Sequence, residues 1–139
     1  MRTGKVLIVE DEFLVALQLE DILDEGGHQV VGSVSDLAAL ETVSEAPDVA
    51  LVDLNLRDGL TGPEVARRLC DRFGTRIVYV TANPSQIDLP ARCAVGIVQK
   101  PFSREVINAV LAYALTDDLA IARPAELQAV AENLVRRTA

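Results

Sequence analysis

The sequence has little of three features that would assign it to a class at once: long apolar stretches, clusters of basic residues and closely spaced cysteines. No apolar run approaches the roughly 18 residues that a membrane-spanning helix needs. The N-terminal apolar run at 6–9 is too short for the core of a signal peptide. The net charge of −8, without a basic cluster, argues against nucleic-acid binding. These absences predict a soluble cytoplasmic protein with no membrane segment.

The chain has only two cysteines, Cys70 and Cys93, and neither belongs to a CxxC motif. Such widely separated cysteines are typical of free, mostly structural thiols in a reducing compartment. A disulfide between them stays open as the alternative.

What the sequence does have is a series of short apolar segments rich in valine and isoleucine. They show little alternation of apolar and polar residues, which is typical of strands buried on both faces. The chain of 139 residues suits one domain. The predicted strands lie at 5–9, 30–34, 49–53, 76–80 and 95–99.

Helical patterns separate these strands. Apolar spacing, with capping residues, glycine or proline at the ends, predicts helices over 12–25, 35–45, 63–73 and 103–115. The fourth connection, 82–94, contains Pro84 and Pro90, which limit it to a short or irregular helix. The alternation predicts an α/β fold, a doubly wound parallel sheet with helices on both faces. Ligands of such a sheet bind at the carboxyl ends of its strands.

The C-terminal residues 117–139 lie outside the five strand–helix units. Pro124 is a suitable start for an extra C-terminal helix that reaches residue 137. An apolar stripe at helical spacing consists of Leu127, Val130, Ala131, Leu134 and Val135. The stripe either packs on the chain's own surface or forms a partner or homodimer face, and the pattern favours neither.

Reactive side chains follow four of the predicted strands. Glu10 and Asp11 follow the first, Asp53 ends the third, Thr81 follows the fourth and Lys100 follows the fifth. If the first and third strands are neighbours, three carboxylates converge, and such a cluster favours a hard divalent cation, Mg²⁺ or Mn²⁺. A lysine and a hydroxyl at the same edge add donors for phosphoryl oxygens. The chemistry indicated is phosphoryl transfer, with a carboxylate as nucleophile.

Each of these residues also has an ordinary structural interpretation. A lone aspartate at a strand end is usually a turn residue, and acids before a helix usually complement the helix dipole. The combination, with each residue at the carboxyl end of its own strand, is far more specific than any single member.

Four sequence blocks, VLIVEDE, ALVDLNLRDGLTG, IVYVTA and VQKPF, resemble the signature blocks of the receiver domain of bacterial two-component response regulators. The resemblance covers residues 4–116 and implies the flavodoxin-like (βα)5 fold with strand order 2-1-3-4-5. The chain is therefore interpreted as a receiver domain over 1–116 with a helical extension over 117–139, and no output domain is predicted.

The resemblance assigns roles to the acidic cluster. Asp53 resembles the phosphoacceptor, which takes a phosphoryl group from a phosphohistidine. Asp11 resembles a direct ligand of Mg²⁺, Glu10 a ligand through water, and the backbone carbonyl of Asn55 the third protein ligand. Every chemically required position is filled. The resemblance therefore implies a signalling protein that catalyses its own phosphorylation and dephosphorylation, and not a conventional enzyme.

The resemblance also assigns the residues that report phosphorylation. Thr81 resembles the hydroxyl that moves to the phosphoryl group, Lys100 the lysine that pairs with it, and Pro101 the residue joined to that lysine by a cis bond. The family usually has an aromatic switch residue three positions before the lysine, where this chain has Ile97. We therefore predict that switching works through the 82–94 segment becoming ordered or displaced.

As a single-domain receiver, the chain is expected to take phosphoryl groups from a sensor histidine kinase or a histidine phosphotransfer protein. It would signal by phosphorelay or by contact with a downstream protein target. The resemblance implies a docking surface on the first helix and after the fifth strand, formed by Leu14, Val15, Gln18, Pro101 and Phe102. Leu14 and Leu17 are more apolar than an exposed helix flank needs, which supports this assignment, although Leu17 is equally suited to the core.

Three other classes of protein match parts of the pattern. A Mg²⁺-dependent phosphatase of the haloacid dehalogenase type would need a second aspartate two residues after Asp53, where this chain has Asn55. A nucleotide or flavin binder would need a glycine-rich loop after the first strand, where this chain is acidic. An inert α/β adaptor requires an unreactive Asp53.

Overall fold

A computed structural model of the chain describes residues 3–87, 89–118 and 120–130. These residues form a six-stranded sheet whose strand order is β2-β1-β3-β4-β5-β6. The first five strands run parallel, and β6 pairs antiparallel to β5. The strands are β1 (Lys5–Val9), β2 (Gln29–Val34), β3 (Val49–Val52), β4 (Arg76–Thr81), β5 (Ala94–Gln99) and β6 (Leu127–Gln128).

The central strands are buried on both faces, as their lack of alternation predicts. β3 is buried throughout, and β1 and β4 are buried after their first residue. Branched valine and isoleucine side chains suit this environment because they pack well on both sides of a pleated sheet. The α/β class and the 2-1-3-4-5 order of the parallel strands are confirmed.

Within the described part of the chain, three α-helices cover the sheet: α1 (Phe13–Glu25), α2 (Gly62–Phe73) and α3 (Arg104–Leu115). Helices α1 and α3 pack on one face, and α2 packs on the other. Ser103 caps α3, because its hydroxyl accepts a hydrogen bond from the Val106 N–H at 3.2 Å. None of the helices in the described residues has the length and apolarity needed to cross a membrane.

The predicted helix at 35–45 is wrong, since the chain makes only a short 3-10 helix there, Ala38–Thr42. Side-chain hydrogen bonds mark both ends of this short helix. Asp36 Oδ1 accepts a bond from the Ala39 N–H at 2.8 Å, and Thr42 Oγ1 donates to the Ala39 carbonyl at 2.6 Å. Val43 then becomes extended and packs into the core on the α2 side of the sheet.

The connection between β4 and β5 is short and irregular, as its two prolines predict. Its regular element among the described residues is a three-residue 3-10 helix, Pro84–Gln86. We call the described residues 82–87 and 89–93 the β4–β5 segment. Two of its side chains, Ile87 and Ala91, pack against the same core as α2.

The predicted C-terminal helix is wrong at its start, because Leu127–Gln128 forms β6 instead. Leu127 is buried on the α1 and α3 side of the sheet, and Val130 is buried on the α2 side. The tail therefore crosses the edge of the sheet and buries one apolar side chain on each face. The rest of the predicted stripe, Ala131, Leu134 and Val135, lies outside the described residues, and the homodimer stays a prediction.

The interpretation of the cysteines as free thiols is wrong, since Cys70 and Cys93 form a disulfide. Cys70 lies in α2, Cys93 lies directly before β5, and their Cα atoms are 5.8 Å apart. The sequence hides this proximity because 23 positions separate the two residues. The disulfide joins α2 to the end of the β4–β5 segment.

Candidate functional site

The carboxyl ends of β1, β3, β4 and β5 lie side by side, because these strands are parallel neighbours. Main-chain hydrogen bonds continue up to this edge. The Asp53 N–H donates to the Val9 carbonyl at 2.9 Å, and the Lys100 N–H donates to the Thr81 carbonyl at 2.9 Å. The fold thus brings to one edge the predicted residues that follow or end these strands, Glu10, Asp11, Asp53, Thr81 and Lys100.

Three carboxylates cluster at this edge. Oxygen atoms of Glu10, Asp11 and Asp53 all lie within 4.8 Å of one another. Glu10 and Asp53 are buried, whereas Asp11 is exposed. Hard oxygen ligands suit Mg²⁺ or Mn²⁺, and Mg²⁺ binds through few carboxylates and keeps several waters. The cluster therefore has the donor chemistry and the solvent access that such an ion needs.

The ammonium group of Lys100 lies between two of these carboxylates. Its Nζ donates to Glu10 Oε1 at 2.5 Å and to Asp53 Oδ2 at 3.0 Å. The peptide bond between Lys100 and Pro101 is cis. The lysine neutralises part of a negative charge that would otherwise be buried without a partner.

This cluster shifts two pKa values. Burial raises the pKa of the Glu10 carboxyl to about 7; the hydrogen bond from Lys100 opposes the rise, and the neighbouring Asp53 adds to it. Burial lowers the pKa of Lys100, but hydrogen bonds to Glu10 and Asp53 outweigh burial and raise that pKa above its usual value. Near neutral pH, Lys100 is therefore charged, whereas the Glu10 carboxyl is protonated in part of the molecules.

Asp53 is held by the main chain around it. Its Oδ1 accepts a hydrogen bond from the Leu54 N–H at 2.8 Å, while its Oδ2 faces Lys100. The start of α2 passes so close that a Cβ on Gly62 would lie 1.9 Å from the Asp53 carbonyl oxygen. Only glycine fits there, and the Gly62 N–H donates to the Leu54 carbonyl at 3.0 Å. Helix α2 thus begins directly against Asp53.

Thr81 and Asn55 connect this site to the β4–β5 segment. Thr81 is buried, and its Oγ1 accepts a hydrogen bond from the Asn83 N–H at 3.1 Å. The Asn55 side chain donates from Nδ2 to Gln86 Oε1 at 2.7 Å. Sequence reasoning missed Gln86, and no local pattern marks it, because the contact joins residues 31 positions apart.

Ile97 is fully buried in β5 and lies opposite Tyr79 of β4. The aromatic side chain of this strand pair therefore belongs to β4. The Tyr79 hydroxyl accepts a hydrogen bond from the Ala91 N–H at 2.9 Å, and burial raises the pKa of this hydroxyl. A buried tyrosine needs a hydrogen-bond partner, so a tyrosine in a buried strand is itself a signal for such an anchor.

The residues predicted to dock a partner differ in exposure. Leu14, Gln18 and Pro101 are exposed, whereas Val15 and Phe102 are half-buried. Leu17, for which docking and core burial were equally open, is 49% exposed, and Phe13, which the sequence did not single out, is 74% exposed. Residues 13, 14 and 17 lie on one side of α1, because helix positions three or four apart are neighbours. Helix α1 therefore presents an apolar patch that the prediction covers only in part.

The sequence is similar to known regulatory proteins. The family model of the response regulator receiver domain matches residues 6–112. The chain is 30% identical over 115 residues to the phyllosphere-induced regulator PhyR of Methylorubrum extorquens, which covers 80% of this chain and 43% of that protein. The chain spans less than half the length of the curated relatives that it matches.

Two solved structures illustrate the shared fold. The receiver domain of PhyR from Erythrobacter litoralis is 27% identical, with a TM-score of 0.74 and coverage of 88% of this chain and 97% of that one. SdrG from Sphingomonas melonis is 34% identical, with a TM-score of 0.65 and coverage of 84% and 100%. Receiver domains are signalling modules that take phosphoryl groups from kinases or phosphotransfer proteins and generally bind Mg²⁺ at an acidic pocket. The family model matches most of this chain, and the chain shares its fold with the PhyR receiver domain. This chain therefore belongs to the response regulator receiver domain family.

Proposed function

We propose that this receiver domain accepts a phosphoryl group on Asp53 from a histidine kinase or a phosphotransfer protein. It then signals by phosphorelay or by contact with a downstream protein. The observation that carries the proposal is the convergence of Glu10, Asp11, Asp53 and Lys100 at one edge of the sheet. If Asp53 were only a turn residue, it would not need Glu10, Asp11 and Lys100 beside it.

Mg²⁺, or Mn²⁺, is the cofactor in this proposal. The carboxylates of Asp11 and Asp53 and the backbone carbonyl of Asn55 would hold the ion, and Glu10 would act through water. When bound, the ion neutralises negative charge on the phosphoryl oxygens. The cluster fits the ion because its oxygens lie within 4.8 Å of one another and Asp11 is open to solvent.

Asp53 is the nucleophile. One carboxylate oxygen forms a bond to phosphorus, the phosphorus–nitrogen bond of the phosphohistidine breaks, and the imidazole leaves with the electron pair. The product is an acyl phosphate on Asp53. The hydrogen bond from the Leu54 N–H fixes the orientation of the carboxylate before the reaction, which lowers the entropic part of the barrier.

Lys100 and Thr81 report the phosphoryl group to the rest of the domain. Lys100 exchanges one carboxylate partner for a phosphoryl oxygen and keeps a charge-assisted hydrogen bond. Thr81 Oγ1 turns toward the phosphoryl group only by giving up the Asn83 N–H. This exchange releases the start of the β4–β5 segment. Switching through that segment needs no aromatic side chain at Ile97.

The phosphoryl donor is proposed to dock on α1 and on the loop after β5. The patch on α1 is apolar, and contiguous exposed apolar surface marks interaction sites. Leu14 is 76% exposed, and Gln18 and Pro101 are also exposed. Val15 and Phe102 are half-buried and pack against the core.

The alternative functions have less support. A phosphatase of the haloacid dehalogenase type needs an acid at Asn55, whose side-chain amide instead contacts Gln86. An inert adaptor gives no reason to bury Lys100 with carboxylates, since buried charges are costly and cluster at functional sites.

Incubation with Mg²⁺ and acetyl phosphate is expected to add one phosphoryl group to the protein, because this small donor needs no docking surface. Intact-mass spectrometry measures the adduct. The adduct should be absent from Asp53→Asn, which keeps the shape of the side chain but removes the nucleophile. It should also be absent in excess EDTA, because the phosphoryl oxygens then meet uncompensated carboxylates.

The matched control is Asp71→Asn, which changes an exposed aspartate of α2 that pairs with Arg92. This variant should be phosphorylated like the unmodified protein. The proposal fails if Asp53→Asn still gains the adduct. It also fails if neither acetyl phosphate nor a phosphorylated kinase ever modifies the unmodified protein.

Replacing Lys100 by methionine is expected to tighten Mg²⁺ binding by about tenfold at about pH 8. The ammonium group donates to Glu10 and Asp53, and it repels a dication that approaches the same carboxylates. Calorimetric titration with Mg²⁺ at fixed ionic strength measures the affinity. Lys5→Met is the matched control, since it removes the same charge from the opposite end of β1. Equal affinities for the two variants would contradict this competition.

A further inference from the structure

The disulfide between Cys70 and Cys93 joins two elements that contact the site. Cys70 lies in α2, whose first residue packs against Asp53, and Cys93 ends the β4–β5 segment. The chain has no other cysteine, so neither residue has a competing partner within the molecule.

Hydrogen bonds connect the start of the β4–β5 segment to the site. The Asn83 N–H donates to Thr81 Oγ1 at 3.1 Å, and Gln86 Oε1 accepts from Asn55 Nδ2 at 2.7 Å. Thr81 and Asn55 are residues whose surroundings change under the proposed phosphorylation. Movement at the site is therefore transmitted first to this end of the segment.

Hydrogen bonds connect the end of the segment to α2 and β4. Arg67 Nη1 donates to the Leu89 carbonyl at 2.8 Å, and the Ala91 N–H donates to the Tyr79 hydroxyl at 2.9 Å. Water can replace the partners of these hydrogen bonds, whereas it cannot break the covalent disulfide. Arg67 and Cys70 lie one helical turn apart on α2. The disulfide therefore limits how far this end of the segment moves from α2.

The two cysteine residues differ in exposure. Cys93 is half-buried beside the exposed Arg92, whereas Cys70 is 1% exposed. A thiolate from solution therefore reaches Cys93 first. After reduction, both residues can stay in the core, because a free cysteine packs as a small apolar residue. A disulfide in a protein that meets cellular dithiols is usually transient and redox-sensing or catalytic.

We propose that Cys70 and Cys93 form a reversible redox pair, reduced by a dithiol protein, that controls how freely the β4–β5 segment moves. Oxidation fastens the end of the segment to α2, and reduction releases it. The control of signalling rests on the proposed phosphorylation of Asp53, whereas the redox exchange itself does not.

The exchange proceeds in two steps. A thiolate of the reductant attacks Cys93 Sγ, the bond between the two cysteines breaks, and Cys70 leaves as a thiolate that takes up a proton. The second thiol of the reductant loses its proton and attacks the mixed disulfide, which releases Cys93 as a thiol. Two electrons and two protons pass to the pair, and the reductant becomes a disulfide. An oxidised dithiol protein reverses both steps.

Thiol counting tests the exchange directly. The full chain is equilibrated with dithiothreitol or with oxidised glutathione, alkylated and weighed by mass spectrometry. We expect both cysteines to be alkylated after reduction and neither after oxidation, with full reversal when the reagents are exchanged. The proposal is overturned if the count is the same under both conditions, or if circular dichroism shows that the reduced protein is unfolded.

Hydrogen exchange tests the release of the segment. Peptides covering the β4–β5 segment should exchange about tenfold faster in the reduced protein than in the oxidised protein, while peptides from α1 are unchanged. The double variant Cys70→Ala/Cys93→Ala should match the reduced protein under both conditions. Equal exchange of the segment in the two redox states of the unmodified protein overturns the proposal.

Repeating the hydrogen exchange with acetyl phosphate and Mg²⁺ separates this proposal from the proposed function. A phosphorylation-dependent change in the segment that is larger in the reduced protein supports redox control of signalling, and an equal change in both states overturns that control. If neither redox state is phosphorylated, the proposed function fails. The thiol count and the exchange of the unphosphorylated protein then still decide whether the redox pair exists.

Discussion

Replacing Gly62 by alanine is expected to lower the free energy of unfolding by at least about 3 kcal/mol. The added Cβ would lie 1.9 Å from the Asp53 carbonyl oxygen and 2.7 Å from Leu54 Cα. These are main-chain atoms, which cannot rotate away as the end of a side chain does. Either α2 moves away from β3, or the main chain after Asp53 shifts. Urea denaturation followed by circular dichroism measures the loss.

The matched control is Gly59→Ala in the loop that leads into α2. Gly59 has a φ of 111° but no heavy atom within 4 Å of an added Cβ, so only backbone strain of about 1–2 kcal/mol is expected. A Gly62→Ala variant no less stable than Gly59→Ala would contradict the close approach of α2 to Asp53. If Gly62→Ala folds, its phosphorylation by acetyl phosphate should be at least about tenfold slower, because the shifted main chain misplaces Asp53.

Replacing Leu127 by alanine is expected to lower the free energy of unfolding by about 2–4 kcal/mol. Leu127 is 3% exposed and belongs to the core on the α1 and α3 side of the sheet. Because β6 has only two residues, losing this side chain also loosens its pairing with β5. Urea denaturation of the full chain measures the effect.

Ile121→Ala is the matched control, since Ile121 belongs to the same tail but is 41% exposed, and its loss should amount to less than about 1 kcal/mol. Equal losses for the two variants would mean that the tail does not pack on β5.

Gly96→Ala tests the same contact from the side of β5 and should displace the tail while leaving Asp53 reactive. An added Cβ there would come within 2.7 Å of three tail residues, Arg123, Leu127 and Gln128.

The sheet was predictable from the sequence because its strands are short valine- and isoleucine-rich runs, and the central ones are buried on both faces. All five parallel strands, from KVLIV to VGIVQ, lie within one residue of their predicted bounds. The assembly of the site then follows from topology, since the carboxyl ends of neighbouring parallel strands must meet. Glu10, Asp53 and Lys100 come together for this reason. Their roles in phosphoryl transfer remain proposals.

Elements that depend on distant contacts were not predictable in this way. Val43 and Leu127 both fit helical spacing, but each reaches the core only through an extended main chain. Apolar periodicity shows that a residue is buried without showing which neighbour buries it. The disulfide has the same origin, because Cys70 and Cys93 meet only after α2 and the β4–β5 segment have packed together.

Strand β6 also determines how the sheet ends. A six-residue edge strand such as β5 would offer a row of free main-chain groups, and such rows act as templates for aggregation. Strand β6, of only two residues, pairs with Ile97 and Val98 of this row, and Arg123 Nη2 donates a hydrogen bond to the Val95 carbonyl at 3.1 Å. Very short edge strands are poor templates. At the β5 edge, the sheet can therefore end without pairing with a strand of another chain.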